Sequence, residues 1–164
     1  MENDILLLSV DDIPRYTSIS ANLDVDRMTP YIRLAQRTEL KRILGIELYN
    51  KIVTDFSNDS LAGLYKTIYD EFVVDILVNY SAYNIVLFNS LRIDNAGNFF
   101  YEPDDSRSAD MEDTEKIAAR YQKIAAAIEL QFYKWLGNNK IKERPDSGSC
   151  CTANTNTFKL PWLL

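Results

Sequence analysis

The chain has 164 residues, 46 % of them hydrophobic, with 24 acidic against 18 basic side chains and a net charge of −6. That length and apolar share suffice for one domain with a real core, whereas phosphate neutralisation by clustered Lys and Arg is excluded by the acidic balance. The chain has no histidine, which removes the commonest general base, metal ligand and neutral-pH switch together.

The opening Met1-Glu2-Asn3-Asp4 places no basic region ahead of an apolar stretch, so no secretion leader is expected. Ile5 to Val10 is a short apolar run, and Asp11-Asp12-Ile13-Pro14 breaks regular structure before Pro14. Residues 1–23 therefore read as an extended arm. From Asp24 the pattern changes: Asp24 or Asp26 supplies a cap, Pro30 sits early, and Ile32, Leu34, Ala35, Leu40, Ile43 and Leu44 keep a helical spacing that stops at Gly45. A helix over 24–44 is predicted. A shorter one over 46–56 follows, with Leu48, Ile52 and Phe56 on one side, and Ser57-Asn58-Asp59-Ser60 makes a turn.

Residues 61–91 are the most apolar part, and Phe72 to Val78 resembles a membrane span in composition. Asp75, Asn79, Asn84 and Asn89 recur through it, however, and would be costly in hydrocarbon. A buried central helix with no membrane partner is the expectation. Leu91-Arg92-Ile93, Asp94 to Asn98 and Phe99-Phe100-Tyr101 then read as a β-hairpin near 91–101, its Asn and Gly residues suited to positive φ.

The acidic segment Asp104 to Glu115 places carboxylates at the start of a last helix over 108–136, with Ser108 as its cap. Ile117, Tyr121, Ile124, Ile128, Phe132 and Trp135 form one stripe, expected to pack on the helix bearing Phe72, Ile76 and Tyr80 with Ile124 inside the seam. After Gly137 the chain turns polar and aperiodic through Thr157 and reads as a tether. Residues 140–164 carry Lys140, Lys142, Arg144 and Lys159 against Glu143 and Asp146, or +2, which leaves −8 on residues 1–139. The tail ends in Phe158, Leu160, Pro161, Trp162, Leu163 and Leu164, an apolar plug at the free end. It either folds back on its own domain or reaches a partner, and the second reading is preferred for these six residues.

Catalytic patterns are scarce. No Gly-rich phosphate loop, Gly-x-Ser-x-Gly elbow or Cys partnered by a base is present. Asp11-Asp12 and Asp104-Asp105 are carboxylate pairs in polar loops, where a solvated surface is the simpler reading. Cys150 and Cys151 are adjacent, ill placed to bridge each other and too few for zinc, which fits folding in a reducing compartment. No catalytic, cofactor or metal site is expected. Ten tyrosines and seven phenylalanines suit inter-subunit packing as well as a core.

The order of arm, helix, long apolar helix, hairpin, last helix and tail, with Ala35-Gln36-x-x-Glu39-Leu40-x-x-Ile43-Leu44-Gly45 and Leu48-Tyr49-x-x-Ile52, resembles the head-tail connector (adaptor) proteins of tailed bacteriophages. Among these it is most similar to the ring proteins of Bacteroidetes phages, including the crAss-like group. The resemblance covers residues 24–139 by pattern and Ala35 to Ile52 by residue type. It implies an all-α domain over 24–139 between an arm (1–23) and a tail (140–164), and a non-enzymatic virion protein at the capsid-tail junction, assembled in the host cytoplasm. Its partners would be copies of itself in a ring, commonly dodecameric, the portal protein and other tail or ring proteins, with DNA only as passing cargo. The competing reading is a small helical protein that binds a cytosolic partner through its tail.

Overall fold

A computed structural model describes residues 5–89, 91–94, 97–100 and 111–144. The body is mostly helical. A short α1 (Asp12–Tyr16) precedes α2 (Val25–Ala35), which runs through a π-helical turn, Gln36–Leu40, into α3 (Lys41–Leu44). Asp24 caps α2 by accepting the Asp26 N–H at 3.1 Å, satisfying a donor that the first turn leaves without a partner. Gly45 ends α3 at φ +79°, a conformation in which a side chain would be strained although space for one is open. The chain therefore changes direction at once into α4 (Ile46–Ser57).

The central rod is α5 (Gly63–Ile68), a second π-helical turn, Tyr69–Val73, and α6 (Val74–Asn89). Gly63–Phe88 is long and apolar enough by length and composition to cross a bilayer. Here its apolar side chains make the core: Phe72, Val73, Ile76, Leu77 and Val78 are buried with Ile32, Leu40, Leu44 and Ile52. Of the polar positions along it, Asp75 is exposed, and Asn79 donates to the Asp75 carbonyl at 2.8 Å. Two four-residue strands follow, β1 (Leu91–Asp94) and β2 (Gly97–Phe100), paired antiparallel with Leu91 opposite Phe100 and Asp94 opposite Gly97.

The last helix, α7 (Met111–Asn138), packs along the rod in the opposite direction. Phe72 meets Phe132 and Trp135 at ring separations of 5.4 and 5.7 Å, while Tyr80, two turns further along, reaches back to Glu129. The expected seam is corrected here. Ile117 and Ile124 are 41 % and 48 % exposed, and the buried positions of α7 are Ala118, Ala125, Phe132 and Leu136. Residues seven apart share a helix face, so Ala118, Ala125 and Phe132 form the true contact line. Small side chains let the helices approach closely, so Ile117 and Ile124 of the expected stripe fall one position to the side of this line, while Phe132 and Trp135 pack on Phe72 as expected.

A second correction concerns the arm. Residues 5–23 do not run free: Leu7, Leu8 and Ile13 are buried in the core, and Pro14 lies inside α1. Proline is tolerated there because a first-turn N–H has no intrahelical partner in any case.

Candidate functional site

Phe158, Leu160, Pro161, Trp162, Leu163 and Leu164 lie outside the described residues, as do Asp104-Asp105 and Cys150-Cys151. The described part of the tail nevertheless shows where that segment originates. Asn139 closes α7, its amide Nδ2 donating to the Trp135 carbonyl at 2.9 Å. Beyond it the chain stays on the body, contrary to a tether starting at Gly137. Ile141 is 5 % exposed, Glu143 accepts the Tyr65 hydroxyl at 2.6 Å, and Arg144 donates to the Ile43 carbonyl. The Arg144 guanidinium also lies 5.3 Å from the centre of the Tyr133 ring, within cation–π range.

Each anchor is positioned by a separate element. Ile43 lies on the last turn of α3, whose end carbonyls lack helical partners and so accept from Arg144. Tyr65 projects from α5, where the Glu143 hydrogen bond, burial and the Glu143 charge push its phenol up to about 12. Tyr133 stands on α7 with its ring 5.9 Å from that of Phe132, and burial together with the Glu129 charge pushes its phenol up. Three elements thus converge on a five-residue root, Lys140 to Arg144.

Glu129 is also the centre of an ion-pair junction. Arg42 from α3 forks onto both of its oxygens at 2.9 Å and holds Glu39 at 2.9 Å through Nη2. Tyr80 adds a hydrogen bond to Glu129 at 3.3 Å. Burial pulls the Glu129 carboxyl upward, yet the Arg42 fork outweighs it and holds the group below its ordinary range. The junction ties α3, α6 and α7 together beside the tail root.

An open depression adjoins the root on its α5 side, lined by Lys51, Asp55, Ser60, Gly63, Leu64 and Tyr65. Asp55 is buried and pairs with Lys51 at 2.7 Å. The Lys51 ammonium sits 5.3 Å from the Tyr65 ring centre, so Tyr65 belongs to both the depression and the root. Of the other carboxylate pair, Asp11 is exposed and Asp12 contacts Arg15 at 3.7 Å. Among the described residues no three Cys, Asp or Glu side chains gather as metal ligands would.

Sequence reasoning missed Tyr65, Glu143 and Arg144. The available signal was Ile141, a lone apolar residue in a polar stretch, which has a reason to be there only if it is buried.

Residues 40–155 match a family of unknown function (DUF6712). The chain belongs to that family. The DUF6712 region takes in the elements from α3 onward, including the tail root, and stops short of residues 158–164. No curated protein and no solved structure matches the chain.

Proposed function

We propose that this DUF6712 protein is a structural virion component, a head-tail connector that forms a ring below the portal of a tailed bacteriophage and extends the DNA channel. The observation that carries the reading is the anchored root. A helical body grips residues 140–144 through three elements, and the chain beyond is a polar sequence that ends in the apolar Phe158 to Leu164. Such an arrangement delivers an apolar segment from a defined point to a neighbour. Exposed apolar side chains support self-association: Ile117 and Ile124 on α7, Phe88 on α6 and Leu34 on α2 are each more than two-fifths exposed. Large apolar groups rimmed by charge mark interaction surfaces.

In this reading the finer architecture is a bundle of about four helices with the β1–β2 pair as an inserted hairpin. The ring is dodecameric, the partners are the portal and further tail or ring proteins, and the protein is not an enzyme. The acidic body lets DNA pass as cargo, because like charge disfavours phosphate contact. Electron microscopy of the purified protein alone and with its portal tests the proposal. Closed rings, or rings formed on the portal, are expected. A monomer at all concentrations that leaves the portal bare would overturn it in favour of a cytosolic partner-binding protein.

A further inference from the structure

Gln36 stands inside the first π turn and is 3 % exposed. Its amide is wholly engaged. Oε1 accepts the Leu7 N–H at 2.9 Å, and Nε2 donates to the Ile5 carbonyl at 2.8 Å and contacts the Tyr49 hydroxyl at 3.1 Å. Tyr69, from the second π turn, donates its hydroxyl to the Leu7 carbonyl at 2.8 Å. Two side chains from two helices therefore satisfy three main-chain groups of Ile5 and Leu7, as an adjoining strand would. Leu7 and Leu8 enter the core at 0 % and 3 % exposure.

This is the hold of a peptide groove: helix side chains bond the main chain of the segment, and here its consecutive Leu7 and Leu8 side chains fill the core. None of these contacts requires that the occupant be covalently joined to the helix it rests on. Helix α2 starts under its own cap at Asp24. In the connection leading to it, Ser18, Ser20, Ala21 and Asn22 are exposed, and Ser18 is tied to Tyr121 by its N–H at 3.2 Å and its hydroxyl at 2.8 Å.

We propose that the groove formed by Gln36, Tyr49 and Tyr69 is an exchange site, which in self-associated protein holds the Ile5–Leu8 segment of a second copy of this chain. The segment seated there identifies the occupant that fits. Every copy brings one segment and one groove, so head-to-tail exchange in a closed assembly leaves no groove empty. The inference needs self-association only and stands apart from the connector reading.

The test uses the full chain with a photo-reactive phenylalanine in place of Leu6, a half-buried residue at the edge of the core. Light and isotope-heavy copies are refolded together, irradiated, and their cross-linked peptides read by mass spectrometry. Mixed light–heavy cross-links are expected. In parallel, a fluorescein-labelled peptide of residues 1–16, refolded in excess with the full chain, should compete with the resident segment and be retained saturably, and at least tenfold more weakly by the Gln36→Glu variant, which keeps the acceptor for Leu7 and loses the donor for Ile5. Cross-links confined to single copies overturn the exchange whatever the peptide does, and rings whose cross-links are all intrachain would do so while leaving the connector proposal intact.

Discussion

Arg42 and Glu129 are 87 positions apart in the chain, and their paired hydrogen bonds are a residue-scale lock whose pH dependence is predictable. A carboxylate with a depressed folded-state pKa contributes stability that is complete above its unfolded value and lost as pH falls through the folded one. Glu129 behaves this way, so acid destabilisation should set in below the ordinary value of 4.5. Glu129→Gln should flatten that limb in denaturant melts stepped through acid pH. An unaltered limb would assign it to other carboxylates. Because the Arg42 side chain is 52 % exposed, Arg42→Ala should cost only about 1 kcal/mol at neutral pH. Tyr65 has the opposite sign. Its phenol is raised from 10.0 to about 12, so the stabilisation linked to it is complete below pH 10.0 and declines up to about 12. Tyr65→Phe should shallow the alkaline limb of the melt, and a variant as alkali-sensitive as the parent would show that Glu143 does not hold the phenol in solution.

At the scale of elements, α7 separates two substitutions on neighbouring positions. Ile124→Asp places a charge on a half-exposed site and should stay within about 1 kcal/mol of the parent, whereas Ala125→Asp buries a carboxylate on the contact line and should abolish the cooperative melt. If the two variants melt alike, the face drawn through Ala118, Ala125 and Phe132 is wrong. The same helix shows what was legible in sequence. Helix 46–56 was plain because Gly45 and the turn after it bound a run whose large side chains are the ones that point inward. The start at Asp24 was plain because a cap is a local interaction. The α7 seam was not, since Ala reads as neutral in a pattern search yet marks close approach between helices. The N-terminal segment was missed for a different reason. Its fate is decided by Gln36 and Tyr69, 29 and 62 residues downstream of Leu7, and no local pattern reports a partner that distant. The tail root was missed likewise, since Tyr65 and Glu143 are 78 residues apart. The preferred partner-binding segment, Phe158 to Leu164, was chosen on composition alone.

For the whole molecule, the described body extends through Arg144, past the expected domain boundary at residue 139. Truncation after Arg144 should leave the helical spectrum and melting temperature nearly unchanged, whereas truncation after Asn139 removes buried Ile141 with Glu143 and Arg144 and should cost about 2–4 kcal/mol. Equal melting temperatures for the two truncations would show that the root contributes nothing to folding. With −8 on residues 1–139 and +2 on residues 140–164, the full chain should also give no duplex gel shift at physiological salt. A salt-dependent shift would place nucleic acid among its ligands.

Fixing Arg144 on the body sets a leash of known origin. Covalent geometry limits the distance from Arg144 to Phe158 to about 50 Å at full stretch, whatever path the chain takes. The 28-residue α7 is about 42 Å long at 1.5 Å per residue. Wherever Phe158 lies, it is within little more than one α7 length of Arg144, so under the proposed reading a partner for the apolar segment has to be its own body or an immediately adjoining molecule. Under that reading the covalent link raises the effective concentration of the segment at such a partner, and each residue removed between 145 and 157 would shorten the reach by about 3.5 Å.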